Sequence, residues 1–211
     1  MRAVIAKGAG GPDVLALCDL PVPVIRDGEV LVSVHAAGVN RPDVSQRRGI
    51  YPPPAGITDV LGLDIAGVIT QVAGKCSSWK IGDRVCALVA GGGYADFCAV
   101  PYEQLLPIPA GLSWEQAAAL PEVLFTAWNN LVLHGRIGKR ERILIQGGAS
   151  GVGLAAIQIA KQIFSCLVVA TASSEEKRKT CLAHGADDVS NYRDPRWIGR
   201  ASCRERVFVG V

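Results

Sequence analysis

Residues 142–161 carry the chemistry that is easiest to read. Ile143 to Ile145 form an apolar strand signal, and a loop of Gly148, Ala149, Ser150, Gly151, Val152 and Gly153 follows. Ala155, Ala156, Ile157, Ile159 and Ala160 then supply the apolar residues of a helix. Strand, glycine loop and helix in that order suit a dinucleotide pyrophosphate. Glycines let the backbone turn tightly and approach phosphates, and a helix N-terminus offers free N–H donors and partial positive charge. The competing reading is a plain strand-to-helix turn, because glycine-rich turns are common.

The next strand, Cys166 to Thr171, decides which dinucleotide. An NAD site places an Asp or Glu at the end of that strand, about 20 residues after the loop, to hold the ribose hydroxyls. This chain has Thr171-Ala172-Ser173-Ser174 there. An acid would repel a 2′-phosphate, so its absence favours NADPH. Ser173, Lys177 and Arg178 are the residues placed to meet that phosphate. Ser173-x-x-Glu176 also reads as a capping box for a helix running to His184, and Lys177 also reads as a solvated helix residue.

The elements that position these groups change character along the chain. Up to about residue 120, strand signals at Arg2–Lys7, Val30–Ala36, Ile65–Val72, Arg84–Val89 and Tyr94–Val100 are punctuated by Gly and Pro. That texture predicts a compact all-β barrel. Helices begin near Trp114, and strands alternate with helices from Arg142.

The segments Gly28–Val32, Val39–Asp43, Leu61–Asp64, Trp79–Asp83, Leu120–Glu122 and Thr126–Ala127, with the glycine loop, give the chain a family resemblance. It resembles the zeta-crystallin-like quinone oxidoreductases of the medium-chain dehydrogenase superfamily, particularly their stress-inducible animal branch. The resemblance covers residues 1 to about 195 in order. It implies an α/β protein with a GroES-like β-barrel catalytic domain over residues 1–120. An incomplete Rossmann dinucleotide-binding domain follows over 121–197.

The resemblance also implies NADPH-dependent reduction of a small quinone by a homodimer or homotetramer, and the isolated cysteines suit a cytoplasmic location. It places Asn40 near the nicotinamide ribose and Tyr51 in the loop roofing the acceptor pocket. Thr126 runs beside nicotinamide and pyrophosphate, and Tyr192 lies by the adenosine 2′-phosphate. From the residues alone, Asn40 equally reads as a turn residue, Tyr51 as loop packing and Thr126 as an ordinary helix residue.

Zinc relatives carry a Cys after the barrel strand and a His-Glu pair beyond it, where this chain has Asn40 to Asp43 and Leu63-Asp64. His35, His134 and His184 are far apart, no two cysteines have C-x₂-C spacing, and the four-cysteine lobe of the zinc relatives is missing. No metal is expected. Without a Lewis acid, the favoured acceptors take hydride unaided: quinones first, with enones and enoyl thioesters as the alternative. A non-catalytic, crystallin-like NADPH-binding protein is the third reading.

At 211 residues and 49% hydrophobic, the chain suits one to two domains. It has no apolar run of about 18 residues, so no membrane span is expected. Met1-Arg2-Ala3-Val4 enters a strand at once, leaving no room for a targeting peptide. Seven isolated cysteines suit a reducing compartment. A net charge of +3 and a pI near 8.5 give no nucleic-acid signature.

The decapeptide Ile198-Gly-Arg-Ala-Ser-Cys-Arg-Glu-Arg-Val207 reads as the translation of a sequencing adapter joined to a truncated transcript. Residues 198–211 are therefore expected to take no part in the fold. Without that decapeptide, which holds three Arg and one Glu, the net charge falls from +3 to +1. A doubly wound fold needs about six strands, and the chain is expected to supply two and the start of a third. Open strand edges then predict a fragment that is poorly soluble and inactive when expressed alone.

Overall fold

The computed structural model describes residues 1–75, 78–194 and the backbone of 206–209. The chain divides into two compact units, Met1–Glu122 and Val123–Val211.

The first unit is built on antiparallel sheet. β1 (Arg2–Ala6) and β2 (Leu15–Asp19) form a hairpin-like pair. β3 (Glu29–Gly38), β4 (Asp64–Val72), β5 (Arg84–Leu88), β6 (Phe97–Pro101) and β7 (Leu105–Pro107) form a sheet of order β6-β3-β4-β5-β7. Isolated bridges Ala3↔Ala95 and Ile5↔Val60 tie the pair to the segments flanking that sheet. Val30, Val32, Ile65, Ile69, Val85 and Val100 make its core, all with 0% exposure. β-Branched side chains of this kind fit a pleated, buried surface.

Two short helices complete the unit. α1 (Arg41–Arg47) follows β3 directly, and α2 (Trp114–Ala118) lays Ala117 and Ala118 on Ala66 and Cys86. A reciprocal cap starts α2: Ser113 Oγ accepts from the Gln116 amide at 3.2 Å, and Gln116 Oε1 accepts from the Ser113 amide at 3.0 Å. The last long strand begins at Phe97, not Tyr94. Tyr94 is instead held in the connection by its amide on Leu61 O at 2.8 Å and its carbonyl on the Val4 amide at 2.8 Å.

The second unit is a parallel sheet with helices. α3 (Pro121–Trp128) leads into it from the last residues of the first unit and continues as a π-helical turn over Asn129–His134. β8 (Arg142–Gln146), α4 (Gly151–Gln158), β9 (Leu167–Ala172), α5 (Glu175–Ala183) and β10 (Asp188–Asn191) follow. Ile143, Leu144 and Ile145 are consecutive and all buried, so both faces of β8 are covered, as in parallel sheets generally. Ile157 of α4, Val168 and Ala170 of β9 and Cys181 of α5 join the same core. β9 starts one residue later than the pattern suggests, because the Cys166 amide is still closing the preceding helix on Ala160 O at 3.0 Å.

Two expectations change here. β10 is a complete third strand, and a fourth, β11 (Arg206–Val209), pairs in parallel with β8, giving the order β10-β9-β8-β11. The expectation that residues 198–211 take no part in the fold is therefore corrected for 206–209. The physical reason is a β-prone Val207-Phe208-Val209 sequence and a β8 whose second edge is otherwise unpaired. Residues 195–205, 210 and 211 lie outside the described residues. Among the described residues, no helix is long and apolar enough to cross a membrane.

Ile157 is fully buried in the second core. Ile157→Ala is expected to destabilise the second unit by about 2–5 kcal/mol in chemical denaturation. A loss under about 1 kcal/mol would show that this core is not packed as described.

Candidate functional site

In the second unit, β8 ends against Gly147, which takes a left-handed φ of +66°. The loop is tied to the end of β9. The Gly147 amide donates to Thr171 Oγ1 at 3.2 Å, and the Gly148 amide donates to Thr171 O at 2.9 Å. A Cβ on Gly153 would stand 2.5 Å from Gly147 O, and one on Gly148 would stand 2.7 Å from the Ala170 Cβ. Neither position has room for a side chain. Ser150 caps α4, its Oγ accepting from the Gly153 amide at 3.0 Å. First-turn amides such as those of Gly151 and Val152 have no intrahelical acceptor, which is what an anion at this end requires.

The end of β9 is buried at Thr171 and Ala172, half-buried at Ser173, and carries no carboxylate. The cap of α5 is Ser174, not Ser173: Ser174 Oγ accepts from the Lys177 amide at 3.4 Å. Ser173 is thereby left outside the cap. Arg178 is engaged within the unit, its Nε on Val189 O at 3.0 Å and its Nη1 on Glu175 at 2.8 Å. Lys177 is exposed and forms no ion pair among the described residues.

Tyr192 follows β10, its amide on Ala172 O at 3.3 Å and its ring exposed. Because β8, β9 and β10 run parallel, the glycine loop, Ser173 and Tyr192 all emerge at one sheet edge. Thr126 is half-buried on α3, one turn beyond Val123, whose Cγ1 would stand 3.0 Å from a Cβ on Gly151.

In the first unit, Asn40 is the N-cap of α1. Its amide donates to Asp43 Oδ2 at 2.7 Å, closing a capping box, and its side-chain Nδ2 donates to Asp64 Oδ2 at 2.8 Å. Asp64 Oδ1 accepts from the Glu122 amide at 2.9 Å, and Asp43 Oδ2 also accepts from the Tyr94 hydroxyl at 2.9 Å. Asp43 and Asp64 are 3% and 1% exposed.

Burial pushes the Asp64 carboxyl up to about 6, against the donors from Asn40 and Glu122. Burial likewise raises Asp43, opposed by the Asn40 amide and the Tyr94 hydroxyl. Burial raises the Tyr94 phenol, with its bond to Asp43 adding to the effect.

The cluster is a poor metal site. Asp43 Oδ2 and both Asp64 oxygens already face N–H or O–H donors, and among the described residues no group of three or more His, Cys, Asp or Glu could hold a metal ion. His35 is stacked on Trp114 at 4.6 Å, and His184 Nδ1 lies 2.8 Å from Thr180 O. Tyr51 is exposed on the loop after α1 and makes no hydrogen bond among the described residues, so the structure does not join it to Asn40. A cavity of about 460 Å³ borders that loop, with Ile5, Gln46, Pro53, Thr58 and Leu61 in its wall. Its lining includes neither Asn40 nor Tyr51, so the chemistry is assigned to the polar cluster and not to this cavity.

Sequence reasoning gave Asp43 and Asp64 no role of their own and missed Tyr94 and Gly147. The Asn40-x-x-Asp43 spacing was a readable capping signal. Asp64, a carboxylate opening an apolar strand, was a readable anomaly.

Residues 26–110 match the alcohol dehydrogenase GroES-like domain model, and residues 151–203 match the zinc-binding dehydrogenase model. The quinone oxidoreductase of Mus musculus is 39% identical over 202 residues, covering 95% of this chain and 61% of that protein. The chain carries the GroES-like and dehydrogenase domains of the medium-chain dehydrogenase superfamily and is similar to its zeta-crystallin-like quinone oxidoreductases. The quinone oxidoreductase structure from Coxiella burnetii aligns with a TM-score of 0.85 at 30% identity, over 96% of this chain and 65% of that one. The quinone oxidoreductase from Thermus thermophilus, solved also in complex with NADPH, gives 0.77 at 37% identity, over 92% and 61%. The chain thus spans less than two thirds of these relatives' length, and the family is one of oxidoreductases that use nicotinamide coenzymes.

Tyr94→Phe removes the hydroxyl that donates to buried Asp43. It is expected to lower unfolding free energy by about 1–3 kcal/mol at pH 8, and by less in acid below the ordinary carboxylate value of 3.8, where burial keeps Asp43 neutral and it needs the donor less. Equal losses at both pH values in denaturation would contradict that pairing.

Proposed function

We propose that the complete protein carrying this chain reduces quinones with NADPH and without zinc. The observation that carries the coenzyme reading is the end of β9. It emerges beside the glycine loop, bears Ser173 where NAD sites place an acid, and stands near a Lys177 that forms no ion pair among the described residues.

In this reading the amides from Gly148 to Gly153, with Ala149, Ser150, Gly151 and Val152 between them, hold the pyrophosphate. Ser173, Lys177 and Tyr192 receive the 2′-phosphate. Thr126 runs beside the nicotinamide and pyrophosphate, Asn40 lies near the nicotinamide ribose, and Tyr51 donates a hydrogen bond to the acceptor oxygen as charge develops there. When bound, NADPH supplies the hydride. The protein's own part is to hold donor and acceptor in contact and exclude water.

Zinc independence is supported by Asn40 to Asp43 and Leu63-Asp64 at the two places where zinc relatives carry a Cys and a His-Glu pair, and by Asp43 Oδ2 and both Asp64 oxygens already committed to donors. A quinone accepts hydride without a Lewis acid because the product phenolate is aromatic.

Steady-state assays of the complete protein are expected to show reduction of an ortho-quinone with NADPH exceeding that with NADH, and exceeding reduction of an enoyl thioester. Preference for the thioester would move the assignment to an enoyl reductase. Binding of NADPH with neither activity would favour a crystallin-like protein. Lys177→Ala is expected to weaken NADPH binding by about tenfold while leaving NADH unchanged, worth about 1.4 kcal/mol for one charge-assisted contact. An equal effect on both coenzymes would remove Lys177 from the phosphate site.

A further inference from the structure

We infer that Asp64 is a positioning residue. Its carboxylate fixes the Asn40 amide with NH₂ inward and one Nδ2 hydrogen free for a ligand, and a proton on Asp64 undoes that orientation. The inference rests on the proposed role of Asn40 beside the nicotinamide ribose.

The geometry leaves little freedom. Asp64 receives two donors, the Glu122 amide on Oδ1 and Asn40 Nδ2 on Oδ2. An ionised carboxylate only accepts hydrogen bonds, so it dictates which end of the Asn40 amide faces it. The other end is matched as well, because the capping box turns the Asn40 side chain toward the Asp43 backbone amide. Of the two hydrogens on Nδ2, Asp64 takes one.

Now add a proton to Asp64. Oδ1 is occupied by the Glu122 amide, so the proton sits on Oδ2 and confronts the NH₂ of Asn40, donor against donor. Relief comes if the amide rotates and Asn40 Oδ1 accepts from the new O–H. That rotation breaks the capping contact and exchanges the ligand-side donor for an acceptor.

The surroundings bring this event into an ordinary pH range. The titratable groups facing Asp64 are Asp43 from α1, Glu122 from the start of α3, Cys86 from β5 and Tyr94 from the connection before β6. None is a cation. β3 presents only Gly38 opposite Asp64, where a Cβ would come within 2.9 Å of the Asp64 Cβ. Burial accordingly pushes Asp64 up to about 6. The ionised, clamping form is the one present above that value.

The test is an NMR pH titration of the Asn40 side-chain NH₂ in the intact protein, with the resonance identified by its loss in Asn40→Ala. Wild type is expected to show an inflection near pH 6, and Asp64→Asn to abolish it. Asp64→Glu, which keeps an acceptor-only carboxylate, is expected to retain an inflection. If Asp64→Asn does not fold, the wild-type titration decides alone.

In parallel, kcat/KM for NADPH in the complete enzyme is expected to fall tenfold per pH unit below about 6, the limb of one essential ionisation. Asp64→Asn is expected to flatten that limb. An Asn40 NH₂ that does not respond between about pH 5 and 7.5 overturns the inference. An Asn40 inflection in a protein that binds no coenzyme overturns the proposed function and leaves the clamp standing.

Discussion

Between β8 and α4 the backbone must reverse over residues 147–153 while the loop stays bonded to the end of β9 through Thr171. Two positions then lie so close to other backbone or side-chain atoms that a Cβ at Gly153 or Gly148 would overlap them. Glycine there is a steric requirement before it is a ligand feature. The same loop leads directly into the first turn of α4, which Ser150 caps. It also brings the end of β9 alongside, so the residue type at Ser173 matters to anything seated on the loop. A carboxylate at that point would oppose an added phosphate; a hydroxyl does not. Fold and the proposed coenzyme choice thus share one constraint.

The first unit follows a different logic. It buries two carboxylates that water would solvate better, and meets them with donors from Asn40, Tyr94 and Glu122. Asp64 is easier to protonate when folded than when unfolded. Its contribution to stability is therefore present below its ordinary value of 3.8 and lost as pH rises through about 6. At neutral pH the fold holds this carboxylate ionised against that tendency. A leucine would pack better there, but only an acceptor with two oxygens can receive both the Asn40 side chain and the Glu122 amide.

Legibility in the sequence tracked how locally each feature is enforced. The glycine loop was readable because backbone crowding dictates residue type, and β3, β4 and β8 because apolar runs mark buried strands. α1 was missed because Arg41–Arg47 is short and lacks an apolar stripe. β2 was missed because it buries little, with Leu17 being 68% exposed. Asp64 was undervalued because its partners lie 24 and 58 residues away, beyond any local pattern. Ser173 and Ser174 were exchanged as caps because neighbouring serines satisfy the same spacing rule. β11 was set aside on the supposed origin of its residues, yet an unpaired edge of β8 accepts a β-prone segment whatever its origin.

Calorimetric titration of the complete protein with NADPH and with NADH tests the central claim most directly. A phosphate received by the amide-lined turn and its acid-free neighbour predicts that NADPH binds tighter by about tenfold or more. Equal affinities, tighter NADH, or no heat from either coenzyme would contradict it.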